Sequence, residues 1–454
     1  MKRIKKYLSA LSFCLSLCLS FTAGAQNAPR LWTLDECIRH ATENNIDLRQ
    51  RLLEQESREI DMNTAKNSWL PNLNAGLGQN LDFGRSPSKD GVIVDRNSAN
   101  SSAYIQAGMP IFDGFKIPNT LAARRLNLQA AVESLNKAKD DLSVSITSYY
   151  LQVLYNKEIL TIADLQSALT GEQVAKTEAL VNAGKVPLSQ LYDIRAQLAK
   201  DEVTRVEARN NVMLALLNLA QLLDLGRSGA EFDIAVPSLP DPTEGNSASI
   251  LPPDIIYHNA VDVKPQVKEQ ELLLESRKKM LKVAEAGYYP QLSLNLSYSN
   301  GYYYYSGADG LVNIGFGDQL RQNERKTIGL SLNIPIFNRF EVRNGVRSAR
   351  VAILSQELAM ENVKKALYKE IQQAYFNATS AQEKYTASTQ SVEAGREAFK
   401  YAEERYATGR STVFEYNESK TKYAQSLSEQ AQAKYDFILR TKILDFYNGV
   451  AITL

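Results

Sequence analysis

Four segments of the chain alternate apolar and polar side chains with a period of two. They cover residues 70–84, 101–112, 289–303 and 326–337. Such alternation is typical of β-strands whose two faces meet different surroundings. About ten residues of each segment alternate, which is the length that a tilted strand needs to cross a bilayer. The same pattern also fits a pair of hairpins packed on a soluble core.

Two features of the predicted strands favour lipid over a soluble core. Their polar positions hold asparagine, serine, glycine and glutamine rather than lysine and glutamate, as in a strand facing a water-filled lumen. Tyrosines gather at the strand ends, at Tyr288, Tyr289 and 302–305, as in the aromatic girdle of a membrane barrel. Four strands are too few to close, and an open edge in lipid leaves unpaired backbone groups. We therefore expect several chains to complete one barrel: two would supply eight strands and three would supply twelve.

Long helical patterns separate the predicted strands. Residues 118–183 and 343–408 are two stretches of 66 residues without an internal proline. As a helix, each would be about 100 Å long. Apolar residues recur every seven positions in both stretches, which predicts coiled-coil packing rather than a cofactor site. Four shorter helices are predicted at residues 33–68, 188–223, 254–287 and 413–444.

The chain is an internal tandem duplication. Its three landmarks recur in order: Leu70–Leu73 as Tyr289–Leu292, displaced by 219 residues, and then Pro110–Asp113 as Pro335–Asn338 and Ala183–Lys185 as Thr408–Arg410, both displaced by 225. The predicted organisation is a first repeat at 26–223, a proline-rich linker at 224–253, a second repeat at 254–444 and a tail at 445–454. The linker, with a short strand near Phe232–Val236, and the tail are expected to form a belt around the middle of the helices.

The first 25 residues have the pattern of a cleaved export signal. Four basic residues precede an apolar run from Tyr7 to Phe21, and Ala23-Gly24-Ala25 supplies the small residues of a cleavage site. The run is too short to anchor the chain as a helix. Its removal leaves 48 basic and 51 acidic side chains, a net charge of −3. This net charge lacks the excess of basic residues that is typical of nucleic-acid-binding proteins.

Candidate catalytic and metal-binding chemistry is sparse. Cys37 is the one cysteine outside the predicted signal, and neither His40 nor His258 stands at metal-ligand spacing from it. The sequence contains no phosphate-binding loop, dinucleotide fingerprint or nucleophile elbow. We therefore expect no enzyme, no cofactor and no metal.

Three features occur in order along the chain: the duplication, the motif Pro110-Ile-Phe-Asp-Gly114 with its repeat at 335, and the two helical turns that begin with glycine. Together they resemble the TolC family of outer-membrane efflux and secretion channels. The resemblance covers essentially the whole chain after the signal. It implies a mainly α fold with a small β part: a homotrimer with a 12-stranded barrel in the outer membrane, four strands per chain, continued by a long periplasmic α-helical barrel. It also implies two partners, a periplasmic adaptor and an inner-membrane pump.

The resemblance further implies where the inner mouth of the tunnel lies. The two turns, which would dock the adaptor, are Gly184-Lys185-Val186-Pro187-Leu188-Ser189 and Gly409-Arg410-Ser411-Thr412-Val413. By position, Glu415 and Glu418 match the family's two acidic rings, and Ser189, Gln190 and Asp193 occupy the corresponding places in the first repeat. The chain departs from the family pattern at Gln190, where an acid is often found, and at Ser411, where a gating arginine can stand.

The two acidic positions can also be interpreted without the family resemblance. Glu415 and Glu418 stand three apart and share a helix face. In a symmetric trimer they would form carboxylate rings that attract cations, whereas in the simpler alternative they are solvated surface acids. The arginines at 339, 343, 347 and 350 could face lipid phosphate, the lumen or solvent.

The predicted function is an outer-membrane channel-tunnel that passively conducts substrates delivered by a pump and adaptor, in efflux or type I secretion. The alternative is a periplasmic coiled-coil structural or adaptor protein without a pore. A cell-wall hydrolase is excluded because no catalytic constellation is present.

Overall fold

The computed structural model of the chain describes residues 31–87, 91–226, 232–238, 250–306 and 312–454. The predicted export signal and part of the predicted linker lie outside the described residues. The first repeat contains β1 (Leu31–Trp32), α1 (Leu34–Asn44), α2 (Ile46–Asn67), β2 (Asn72–Asp82), β3 (Arg85–Pro87), β4 (Ile93–Asp95), β5 (Asn97–Phe112), α3 (Lys116–Asn182) and α4 (Leu188–Leu222). There follow β6 (Asp233–Ile234), α5 (Pro253–Val261), α6 (Pro265–Glu285), a 3₁₀ turn (Ala286–Tyr288), β7 (Gln291–Ser306), α7 (Phe316–Gln322), β8 (Arg325–Asn333), α8 (Glu341–Ala407) and α9 (Val413–Tyr447).

Two segments predicted as single helices are each broken in two. The segment 33–68 breaks at Asn45, whose side-chain oxygen accepts hydrogen bonds from the N–H groups of Asp47 and Leu48 at 3.0 and 3.2 Å and so caps α2. The segment 254–287 breaks before Pro265, because proline lacks an N–H and the residue before it is held in an extended conformation.

The strand and tail boundaries also differ from the predicted ones. Strand β8 ends at Asn333 rather than at 337, since Pro335 cannot donate to the ladder. Strand β5 begins at Asn97, four residues before the predicted start at 101, and β7 extends to Ser306. Helix α9 continues to Tyr447, past the predicted end at 444, so the non-helical tail is shorter than expected.

The four long strands form one antiparallel sheet in the order β2-β5-β7-β8. The register places apolar residues in rows across one face: Leu73 pairs with Ala107, Ala107 with Leu296, and Leu296 with Ile328. The next row, on the opposite face, is Asn72, Gly108, Asn295 and Gly329. Within the described residues, β2 and β8 are each paired on one side only, so both outer edges of the sheet are open.

The helices pack side by side in two rows. Next to the sheet the order is α2-α3-α6-α8, and beyond the middle it is α4-α3-α9-α8. The long helices α3 and α8 have 67 residues each and run through both rows. Of the described helices, none is both long enough and apolar enough to cross a membrane.

The largest buried cluster lies at the middle of α3. The hydroxyl of Tyr150 donates to the carbonyl oxygens of Trp32 and Ala235 at 3.2 and 2.7 Å, beside the parallel pair of β1 and β6. Ile452, from the C-terminal tail, is buried in the same cluster. The short mid-chain strand and the tail therefore meet at mid-helix height, and Cys37 is fully buried among them.

Both corners between the sheet and a long helix have the same backbone. Two successive residues adopt positive φ in each corner: Gly114 and Phe115 at 70° and 65°, and Arg339 and Phe340 at 53° and 64°. In each corner the second of these residues packs edge-on against a phenylalanine three positions earlier, with ring centroids 5.3 and 5.5 Å apart. The duplication is thus visible in backbone detail as well as in element order.

Candidate functional site

The first predicted docking turn joins α3 to α4. Gly184 has a φ of 70°, a conformation that costs glycine little and other residues more. Its N–H bonds the carbonyl of Val181 at 2.9 Å, and the N–H of Lys185 bonds that of Leu180 at 2.9 Å. This pair of bonds is the Schellman ending of a helix. Gly184 and Lys185 are exposed, and Val186 is half-buried.

The second predicted docking turn joins α8 to α9 with the same geometry. Gly409 has a φ of 73°, and the N–H groups of Gly409 and Arg410 bond the carbonyls of Tyr406 and Arg405 at 3.1 and 2.8 Å. Gly409 and Arg410 are exposed, and Ser411 is half-buried. Around both turn glycines no heavy atom lies within 4 Å of the position that a Cβ would take, so the surface is open.

Glu415 holds the start of α9 through a capping box. The Thr412 hydroxyl accepts from the N–H of Glu415 at 3.2 Å, and the Glu415 carboxylate accepts from the N–H of Thr412 at 3.3 Å and from the Ser411 hydroxyl at 2.6 Å. The hydrogen bond from Ser411, then that from Thr412, and then the charge of Arg405 hold the pKa of Glu415 below its ordinary value. This carboxylate therefore has a local structural role, whether or not it also faces a lumen.

A small apolar cluster joins the two hairpins near their tips. It consists of Leu191 and Ile194 from α4 and Val413 from α9, with Val174, Val181 and Tyr406 packed around them. The cluster brings the two predicted docking turns together at one end of the molecule.

The other predicted gate residues do not bond to one another within the described chain. Glu418 forms an exposed ion pair with Lys422 at 2.7 Å, one turn along α9. Ser189 and Asp193 are exposed and Gln190 is half-buried, all on the first two turns of α4. The side chains that sequence reasoning grouped as a gate thus share one end of the molecule without forming a contact network inside one chain.

One polar cluster near the mouth was missed at the sequence level. Lys420 Nζ lies 2.8 Å from Asp201 Oδ2, and the two side chains are only 2% and 7% exposed. The signal was present, because Val413, Tyr416, Lys420 and Ala424 have the spacing of one buried helix stripe, and all four are buried. A lysine whose charged end is itself buried, as here, requires a buried partner.

In the described part of the chain, no group of three histidine, cysteine or carboxylate side chains is close enough to hold a metal. What the structure does define is a class of protein: a sheet with one apolar and one polar face, carried on helices about 100 Å long, is the fold of an outer-membrane channel protein.

Comparison with known proteins identifies the family. The model of the outer membrane efflux protein family matches residues 37–224 and 256–445, and the chain belongs to that family. It is 24% identical to the outer membrane protein TolC of Escherichia coli, over 92% of this chain and 82% of the relative. It is 21% identical to the outer membrane efflux protein BepC of Brucella suis, over 91% and 84% of the two chains. The solved structure of the Campylobacter jejuni CmeC outer membrane channel superposes with a TM-score of 0.75 at 16% identity, covering 92% and 85% of the two chains.

The resemblance predicted from the sequence is thereby confirmed, and so is the mainly α, TolC-like fold with a small β part. The chain is an outer membrane efflux protein.

Proposed function

We propose that three copies of the chain form a 12-stranded barrel in the outer membrane, continued by a helical barrel through the periplasm, and that this tube passively conducts substrates from an inner-membrane pump and a periplasmic adaptor to the exterior. The observation that carries the proposal is the four-stranded sheet, which has an apolar face, a polar face and two open edges.

The strand count and the width that a water-filled pore needs support three copies. An open edge in lipid leaves backbone N–H and C=O groups unpaired, so β8 of one copy must pair with β2 of the next. Two copies would make eight strands, and the interior of an eight-stranded barrel is filled by its own side chains or by one small ligand. Three copies give a barrel wide enough to keep a water-filled lumen.

The helical part offers matching edges. Helix α2, at one end of the row next to the sheet, exposes Leu52, Leu53 and Ile60. Helix α8, at the other end of that row, exposes Val351, Leu354 and Leu358. Each copy can therefore bury its α8 edge against the α2 edge of the next, which extends the closed ring of the barrel into the helices.

The two turns are proposed as the adaptor-docking surface. They lie at the far end of α3 and α8 from the sheet, about 100 Å away, where a partner in the periplasm can reach them. Both are exposed and have glycine at the open position, so an adaptor hairpin can approach the backbone closely. In the trimer Glu415 and Glu418 would form carboxylate rings near the mouth, and Ser189, Gln190 and Asp193 would stand beside them.

The test compares Gly409→Asp with Gly91→Asp. Both glycines have positive φ, 73° and 77°, with no heavy atom within 4 Å of the Cβ position, but Gly91 lies between β3 and β4 at the sheet end. Aspartate tolerates this conformation better than most residues. Gly409→Asp should abolish export of a fluorescent dye and copurification of the adaptor, while trimers form normally. Gly91→Asp should change neither. Export that survives Gly409→Asp would refute the docking assignment.

The alternative, a coiled-coil protein without a pore, is disfavoured by the apolar sheet face, where Leu77 and Ile328 are 89% and 80% exposed in the chain. Such a protein would be released from cells without detergent. A channel requires detergent for extraction and conducts ions when it is inserted into a planar bilayer.

A further inference from the structure

A buried ion pair joins the two hairpins above the predicted mouth. The Lys420 ammonium, on α9, donates to the Asp201 carboxylate on α4 and to the hydroxyl of Thr170 on α3. The Thr170 hydroxyl donates to the same carboxylate, and Gln197 Nε2 donates to its other oxygen at 2.7 Å. Both charges are thus paired and hydrogen-bonded, and the network ties together three helices from both repeats.

The position of the pair divides the hairpins into two parts. Lys420 lies seven residues after Val413, where α9 begins, which is about 10 Å of helix. Between the pair and the tips, the apolar cluster that joins the hairpins among the described residues is the small one around Val413. Above the pair, the apolar cores that hold α9 and α4 to the rest of the chain are far larger.

The seam below the pair contains buried polar atoms that its own chain leaves unpaired. Among the described residues, Gln173 Nε2, Thr177 Oγ1 and Asn417 Oδ1 are buried without a hydrogen-bond partner. Gln173 and Thr177 follow Thr170 at steps of three and four residues along α3, and Asn417 precedes Lys420 by three along α9. Because α3 and α9 run in opposite directions, these atoms lie on the mouth side of the ion pair. Parting the helices there would expose them to water, which lowers the free energy of the parted state.

The ion pair, in contrast, favours the state in which the helices stay together. Separating a lysine from an aspartate that are both buried leaves two uncompensated charges in surroundings with little water, which is strongly unfavourable. We infer that the Lys420–Asp201 pair is the pivot of the inner mouth: the hairpins part and hydrate below it, while the pair holds them in register and limits how far the opening travels. This inference rests on the proposed function, in which the mouth opens for passage of substrate.

The experiment uses the full-length trimer and a matched pair of variants. Lys420→Met removes the buried charge, and Lys422→Met makes the same change two residues along, where the lysine is 72% exposed and pairs with Glu418. In planar bilayers, Lys420→Met should raise the time-averaged conductance at least fivefold, because the unpaired Asp201 carboxylate draws water into the seam. Lys422→Met should match the unmodified channel.

Hydrogen exchange on the unmodified trimer supplies a second measurement that depends on no variant. Amides at 188–200 and 413–419 should exchange at least tenfold faster than those at 202–215 and 421–435, with a step at the level of the pair. In Lys420→Met the step should move away from the mouth. A purely stabilising ion pair would instead lower protection evenly along the helices.

The outcomes separate this inference from the proposed function. An unmodified protein that forms no conducting channel refutes the proposed function. Two results would refute the pivot assignment and leave the proposed channel function unaffected. One is an unmodified protein that conducts but shows no step in exchange rate at the level of the pair. The other is Lys420→Met trimers that conduct like Lys422→Met trimers.

Discussion

Replacing Gly114 by alanine is expected to disrupt the corner where the sheet meets α3. Gly114 has a φ of 70°, and a Cβ built on it would lie 2.6 Å from the carbonyl oxygen of Ala286 and 2.9 Å from Cβ of Tyr289. Neither atom can move away by a side-chain rotation, because one belongs to the backbone and the other is attached to it. The clash would therefore push apart the first repeat and the 3₁₀ turn of the second.

The expected loss in the free energy of unfolding of Gly114→Ala has two parts. Alanine in the left-handed region costs about 1–2 kcal/mol relative to glycine, and forcing an extra methyl into a packed site costs about 1–3 kcal/mol. Gly184 provides the control, since its φ is also 70° but nothing lies within 4 Å of its Cβ position. Gly184→Ala should thus cost at most about 1–2 kcal/mol, and Gly114→Ala about 2–5 kcal/mol per chain.

The measurement is the urea midpoint of purified trimers, followed by loss of the trimer band and by far-ultraviolet circular dichroism. Gly114→Ala should lower the midpoint clearly more than Gly184→Ala does. If the two variants lower it equally, the close approach of the two repeats at this corner is absent and the reasoning from the Cβ position fails.

Two further predictions concern the sheet and the mouth. Leu77→Lys, on the apolar face, should cost about 2–4 kcal/mol of stability in a bilayer if the residue lies near mid-membrane, whereas Asn80→Lys on the polar face should cost little. Urea titration in liposomes checks this, and equal effects of the two variants would show that the apolar face does not face the lipid. Because the folded pKa of Glu415 is lowered, its capping contribution is complete above the ordinary value of 4.5 and is lost as pH falls through the folded pKa. Hydrogen exchange of residues 411–420 between pH 6 and 3, corrected for intrinsic rates, should show this loss, and Glu415→Gln should remove the pH dependence.

Much of the fold is encoded in short-range patterns. The period of two located all four long strands, and the turn glycines located the ends of α3 and α8, because both signals are local in the chain. The break at Asn45 was missed because the apolar spacing of a helix continues across it, although an asparagine two residues before Asp47 is a capping signal. The end of β8 was placed beyond Pro335 for a similar reason: alternation of side chains persists where the ladder does not.

The candidate site depended more on distant contacts. The capping box of Thr412 and Glu415 is a local motif, yet position in the family pattern suggested only an acidic ring for Glu415. The partner of Lys420 lies 219 residues away, in the other repeat. No local pattern identifies such a partner, because a lysine in an apolar stripe can also reach solvent with its charged end.

The antiparallel junction of β5 and β7 joins the two repeats inside the sheet in the same way that β8 of one copy would join β2 of its neighbour. The proposed trimeric ring would therefore contain six nearly equivalent two-stranded hairpins, with three of its seams inside a chain and three between chains. A half-length ancestor would have needed six copies to close the same ring. A chain that carries both halves thus lowers the number of chains that must meet before any strand edge is protected, and its two halves can carry different charges at the mouth.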